Sequence, residues 1–250
     1  MYKIGIDIGS TSAKTVVLED GKIKDYFIMP TGWSSVETSN KIKEKLEEDL
    51  NIRIEECKIV ATGYGRVSVP FANKTLTEIT CHGRGAYELF KKDCTVIDIG
   101  GQDTKVIEIK DGRVNNFIMN DRCSAGTGRF LEVMTNLMGV TIDELCNIAR
   151  DGKDTQISSM CTVFAESEVI GLIAKGVSKN DIAFAIIDSI TSKVKSLTSK
   201  FGGGDPYFLT GGLSKNSYIL ENLSNKLESK VTTNELSHYA GALGAALLAK

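Results

Sequence analysis

Basic charge is not in surplus in this chain. Its 250 residues carry 30 Lys and Arg against 32 Asp and Glu, a net charge of -2. That balance removes the electrostatic footprint of binding to nucleic acid or an anionic membrane. No stretch reaches the ~18 consecutive apolar residues of a membrane span. The opening MYKIGIDIGS lacks the basic region and apolar run of an export signal. A cytoplasmic protein is expected. There are three prolines and no low-complexity linker. Six cysteines, at 57, 81, 94, 123, 146 and 161, are too sparse for a small disulfide scaffold, and none has a CxxC neighbour. In a reducing compartment they are buried thiols, metal ligands or redox centres.

What is present is ordinary globular composition, 42% hydrophobic and 25% charged, with 24 glycines for tight turns. The chain also repeats itself. IDIGSTSAKTVVLEDGKI, from Ile6, aligns without a gap on IDIGGQDTKVIEIKDGRV, from Ile97. In that register Asp7 matches Asp98, Gly9 matches Gly100, Lys14 matches Lys105 and Gly21 matches Gly112. Each copy reads as a strand, a glycine turn, a second strand and a DG turn, so each half opens with a β-meander. An acid ends the first strand of each.

The remaining segments read as alternating elements. TSNKIKEKLEEDL (38 to 50) is a helix capped by Thr38 or Ser39. KIVATGYG (58 to 65) is a buried strand and turn, and EITCHGRGAYELF (78 to 90) a helix. A long helix spans 180 to 201. Residues 206 to 227 give a strand, a Gly-Gly turn and a helix, and YAGALGAALLAK closes the chain as a small-residue helix. We expect an α/β fold of two duplicated subdomains with a nucleotide cleft between them. The first covers residues 1–92 and the second 93–250, with the helix at 239–250 packing back on the first.

The turns suggest chemistry. Successive backbone N–H groups around Gly9, Ser10 and Thr11, and around Gly100, Gly101 and Gln102, would form nests for phosphate oxygens. Glycine allows the close approach that a Cβ would block. Asp7 and Asp98 at the strand ends would act on Mg²⁺ through its waters. One of them, or Gln102, would orient an attacking water. LTGGLSKN, with Gly211, Gly212 and Asn216, supplies a third glycine turn suited to adenosine. Lys14, Asp103, Gly126 and Thr127 complete the expected nucleotide set, and Glu132 is a candidate for the ribose.

DIGSTSAK, DIGGQDTK and LTGGLSKN resemble the two phosphate motifs and the adenosine motif of the actin/hexokinase/Hsp70 ATPase superfamily, whose fold is ribonuclease H-like. ATGYGR, TEITCHGRGA, NDRCSAGTGRFLEVM, SSMCTVFAESEVI and AGALGAALLA resemble, more narrowly, the ATP-dependent activator (component A) of 2-hydroxyacyl-CoA dehydratases, an iron–sulfur group of the BadF/BadG/BcrA/BcrD type. The resemblance implies ATP, ADP and Mg²⁺ as ligands and a reduced ferredoxin or flavodoxin as electron donor. It implies a 2-hydroxyacyl-CoA dehydratase as acceptor. Activators of benzoyl-CoA reductases and of double-cubane-cluster proteins share the pattern.

A [4Fe–4S] cluster needs four ligands, normally thiolates. Cys123 and Cys161 supply two, and a twofold homodimer supplies the other pair. The resemblance implies the same bridging arrangement. Both cysteines stand near expected helix starts, where the dipole steadies an anionic cluster by about 0.3–1 kcal/mol. Cys57, Cys94 and Cys146 read as core. Cys81 and His82 adjoin on a packed helix, and no second ligand pair accompanies them. His238 is expected to cap the last helix, Trp33 to pack at an edge, and Glu166 and Glu168 to be solvated helix charges. Two other classes fit the same turns. A small-molecule kinase would need a base facing an acceptor pocket. An actin-like filament protein would need no metal.

Overall fold

The computed structural model describes every residue except Ser159 and Met160. Those two belong to the SSMCTVFAESEVI motif and lie outside the described residues. In chain order the elements are β1 (Tyr2–Ile8), β2 (Ser12–Glu19), β3 (Lys22–Pro30), α1 (Ser35–Glu44), β4 (Lys58–Thr62), β5 (Lys74–Thr75) and α2 (Glu78–Phe90). Then come β6 (Cys94–Ile99), β7 (Thr104–Lys110), β8 (Arg113–Asn120), α3 (Gly128–Met138), α4 (Ile142–Ala149), α5 (Thr162–Ala174) and α6 (Lys179–Phe201). β9 (Tyr207–Gly211), α7 (Ser217–Leu227), β10 (Val231–Thr232) and α8 (Ala240–Leu248) complete the chain.

The duplication extends to the whole of each sheet. One sheet runs β3-β2-β1-β4-β5 and the other β8-β7-β6-β9-β10. β1 pairs antiparallel with β2 and parallel with β4, and β6 pairs parallel with β9. The chain forms two compact units. The first holds Met1–Asp93, Ile109–Asn115 and Leu236–Lys250; the second holds Cys94–Glu108 and Asn116–Glu235. The β7–β8 turn joins the first unit through Asp93, whose carboxylate accepts the N–H groups of Asp111 and Gly112.

In the first unit, strand alternation sends Ile4, Ile6 and Ile8 to one face, where they pack with Ile42 and Leu46. Gly5 and Asp7 face the other way, toward α8. A Cβ on Gly5 would stand 1.9 Å from the Ala242 carbonyl oxygen, so the helix backbone lies directly on the strand. The same closeness joins α8 to α2. A Cβ on Gly85 would meet the Ala240 carbonyl oxygen at 1.8 Å, and one on Gly244 the Cys81 carbonyl oxygen at 1.7 Å. This is why the last helix is built of Ala and Gly. Buried Cys81 and His82 belong to that packed helix. In the second unit, Ile97, Ile99 and Leu209 form the sheet side of a core closed by α3, α4, α6 and α7.

Several expectations need correction. α1 begins at Ser35, because the Ser34 side chain accepts the Glu37 N–H at 3.3 Å and caps the helix earlier than expected. Thr38 lies inside it, its hydroxyl donating to the Thr31 carbonyl at 2.6 Å. Trp33 packs at no edge: it is 99% exposed. His238 does not cap α8. Tyr239 holds that position without a side-chain cap, and the His238 ring lies tilted 5.9 Å from the Tyr239 ring. Glu168 is more than a solvated charge, since its carboxylate accepts the Ser158 N–H at 3.0 Å.

The α8 contact gives a first prediction. Gly244→Val pushes α8 off α2 and destabilises the protein by about 1–3 kcal/mol. Thermal or urea unfolding followed by circular dichroism measures this, and an unchanged midpoint refutes it.

Candidate functional site

Asp7, the last residue but one of β1, is buried against α8. Its Oδ2 lies 2.5 Å from the Cβ position of Gly241, and its Oδ1 2.4 Å from that of Gly63, a positive-φ residue. Only glycine fits at either place. Beyond Asp7 the chain turns. The Gly9 N–H donates to the Ser12 carbonyl at 3.1 Å. Thr31 braces the turn from behind: its hydroxyl donates to the Gly9 carbonyl at 2.8 Å and its N–H to the Thr11 carbonyl at 3.0 Å. The carbonyls therefore point away, and among the described residues the N–H groups of Ser10 and Thr11 make no hydrogen bond. Lys14, half-buried on β2, holds its Nζ 3.4 Å from the Cβ position of Gly9.

The second unit repeats this turn with a different brace. The Gly100 N–H donates to the Asp103 carbonyl at 2.9 Å, the counterpart of the Gly9 bond. The Gly100 and Gly101 carbonyls are held by the N–H groups of Gly128 and Arg129, both at 2.8 Å. The first turn of α3 thus takes the place of Thr31. Gln102 stands exposed at the tip. Asp98 is buried, and its Oδ1 accepts the Thr210 hydroxyl at 3.1 Å. A Cβ on Gly211 would crowd the Ile99 carbonyl oxygen at 2.3 Å, which packs the third glycine turn against the end of β6. Gly212, next along, is exposed.

Other expected nucleotide residues have partners within the fold. Thr127 is fully buried and donates its hydroxyl to the Ser124 carbonyl at 2.7 Å. The Gly126 carbonyl accepts the Thr104 hydroxyl at 2.6 Å. Asn216 caps α7 by accepting the Tyr218 and Ile219 N–H groups, and donates to Asp143 at 3.1 Å. Glu132 pairs with Arg129 at 2.8 Å on the surface. Sequence reasoning passed over Thr31, Thr210 and Lys105. Lys105 had a signal, its match to Lys14 in the repeat.

The cysteines divide sharply. Cys57, Cys81, Cys94 and Cys146 are buried, while Cys123 and Cys161 are exposed. Burial pushes the Cys81 thiol up to about 11 and the Cys146 thiol up to about 12. Cys161 is the N-cap of α5. Cys123 lies in the loop ahead of α3, whose first N–H groups go to the glycine turn. The expected helix end at a sulfur therefore holds for Cys161 only. The two cysteine segments meet: Ser124 and Thr162, the residues following each cysteine, share a hydroxyl–hydroxyl hydrogen bond of 2.8 Å. Asn120 shapes the first loop by donating to the Cys123 carbonyl at 2.9 Å and the Ala125 carbonyl at 3.1 Å. Among the described residues no group of three or more His, Cys, Asp or Glu side chains gathers as a metal site.

Residues 4–249 match the BadF/BadG/BcrA/BcrD ATPase family. The chain belongs to this family. Within it, the chain is 42% identical to the (R)-2-hydroxyglutaryl-CoA dehydratase activating ATPase of Acidaminococcus fermentans, over 100% of this chain and 97% of that one. The crystal structure of component A of that organism's dehydratase matches with a TM-score of 0.93, over 100% of this chain and 97% of the other. The activator of 2-hydroxyisocaproyl-CoA dehydratase from Clostridium difficile, solved with bound ADPNP, is 38% identical with a TM-score of 0.90, over 100% and 94%. A more distant relative, one of the subunits of the benzoyl-CoA reductase of Thauera aromatica, is 29% identical over 97% of this chain and 91% of that one. The family fold is the two-lobed actin/hexokinase-like one. Among the described residues, no helix is long and apolar enough to cross a membrane.

The thiol environments yield a prediction. In the metal-free protein, iodoacetamide at pH 8 labels Cys123 and Cys161 within minutes, and the four buried cysteines only after unfolding. Peptide mass spectrometry reads the pattern; early labelling of Cys81 or Cys146 contradicts it.

Proposed function

We propose that this chain is an ATP-dependent reductive activator of a 2-hydroxyacyl-CoA dehydratase, working as a homodimer. Cys123 and Cys161 of each copy would together hold one [4Fe–4S] cluster. The observation that carries this reading is the Ser124–Thr162 hydrogen bond, which ties together the segments of the two exposed cysteines while the other four thiols are buried. One copy thus offers two thiolates, half of the ligand set such a cluster takes. The donor set fits the group: soft sulfur, solvent-accessible, with the N-terminal dipole of α5 behind Cys161. When bound, the cluster supplies one-electron transfer at low potential.

The dimer has further support in α5. Val163, Phe164, Ile170 and Ile173 are all exposed on this helix, beginning two residues after Cys161. Apolar side chains crowded beside a half-complete ligand set fit a second copy of the same surface.

For nucleotide, the turns at Gly9–Thr11 and Gly100–Gln102 present N–H groups suited to phosphate oxygens. Asp7 and Asp98 would orient the Mg²⁺ waters, and Gln102 is exposed where it would hold the lytic water. The activity named for the relatives supports an acceptor of the dehydratase class. A reduced ferredoxin or flavodoxin would be the donor. ATP can drive the cycle only by binding two conformations with different affinity. A difference of about 5.5 kcal/mol would move a 1:99 population to 99:1. The likeness to the Thauera aromatica reductase component favours a second reading, in which only the acceptor changes, to a benzoyl-CoA reductase.

Anaerobic purification followed by iron and sulfide analysis tests the proposal. The expected content is about two iron and two sulfide per chain, in a dimer. Cys123→Ser and Cys161→Ser should each abolish the brown colour. A monomer that keeps its iron, or a double variant with its full cluster, would falsify the reading.

A further inference from the structure

The two glycine turns carry equivalent lysines in opposite circumstances. Lys105, on β7, is only 2% exposed. Its ammonium sits 2.7 Å from Oδ1 of Asp103 and 3.5 Å from Oδ2 of Asp98. Asp98 is thereby engaged at both oxygens, since Thr210 donates to the other at 3.1 Å. Asp103 in turn holds the Gly100 N–H through its carbonyl. One buried cation therefore links the acid at the end of β6 to the far end of the turn that follows it. A buried lysine survives only where its charge is matched and its hydrogens are bonded.

Lys14 occupies the same place in the first copy and makes no ion pair among the described residues. Of the four residues that differ between the two turns, one changes the charge. In the repeat register the partner of Asp103 is Ser12, so the first turn has no second carboxylate to draw its lysine inward. Lys14 instead keeps its ammonium over the Gly9 turn.

We propose that Lys105 is a positioning residue for ATP hydrolysis, a strut that fixes Asp98 and the Gly100–Gln102 turn, whereas Lys14 is the lysine offered to the polyphosphate. This rests on the nucleotide reading above and adds a division of labour between the copies. Lys105 never touches nucleotide, so its loss leaves binding intact and misplaces the groups that orient water. Lys14 acts by direct attraction, so its loss weakens binding.

The test uses the full-length protein, purified without oxygen. Steady-state MgATP hydrolysis gives kcat and KM, and calorimetry gives the ADP dissociation constant. Lys105→Met should lower kcat about 100-fold, the scale of an ångström-level misplacement, with ADP affinity within about threefold of the parent. Asp103→Asn should lower kcat in the same direction, and the double variant should be no worse than Lys105→Met alone, because both remove one strut. Lys14→Met should raise KM and the ADP constant about tenfold or more. Parental kcat in Lys105→Met, or a loss of ADP affinity matching that of Lys14→Met, overturns the proposal. If Lys105→Met does not fold, Asp103→Asn decides alone by the same split of kcat from affinity. A parent that neither binds ADP nor hydrolyses ATP overturns the nucleotide reading itself. A parent that does both while Lys105→Met behaves normally overturns only the strut.

Discussion

In each unit the carbonyl oxygens of a glycine turn are gripped from behind, and the rest of the site depends on that grip. A turn can offer N–H groups to an anion only when its own acceptors are satisfied elsewhere and its backbone cannot rotate. Thr31 does this for the Asp7 turn through its hydroxyl and N–H. The first N–H groups of α3 do it for the Asp98 turn. The same requirement spends the N-terminus of α3 within the fold. That helix end is then not available to a ligand, and Thr127, buried beneath it, becomes part of the scaffold.

The acids obey a related constraint, since a buried carboxylate must be matched or bonded. For Asp98 the match is Lys105 and Thr210. Asp7 is hemmed by Gly63 and Gly241. The small residues of α8 thus serve two purposes. They let the helix lie on β1 and α2, and they leave room beside Asp7. A larger side chain along this stretch would disturb core and site together.

The cysteines express a third constraint. Four thiols are packed as small hydrophobes, out of reach of solvent. Two are left outside, at the start of α5 and in the loop held by Asn120. The bond between Ser124 and Thr162 joins segments 38 residues apart in sequence. An exposed apolar face on α5 continues from this point. In the proposed reading a second copy would both complete the ligand set and cover that apolar face.

Much of this was legible in the chain. The repeat of IDIG exposed both meanders and both acids, because strand alternation and DG turns are local rules. The helix expected at 78 to 90 emerged with its limits as α2. Cys123 and Cys161 were marked by their places near expected helix starts and in the motifs that resemble the activator family. What the chain determined by itself was therefore the duplication, the acids and the thiols, since these rest on residue type and spacing. Tertiary structure decided that Lys105 is buried against Asp98 on the neighbouring strand while Lys14 stays half-buried beside its own glycine turn. It alone decided that Trp33 faces solvent, that Tyr239 rather than His238 starts α8, and that the two cysteine segments touch. The cysteine contact joins residues 38 apart in sequence, and the other outcomes depend on how neighbouring elements are placed, which residue type and spacing alone do not state.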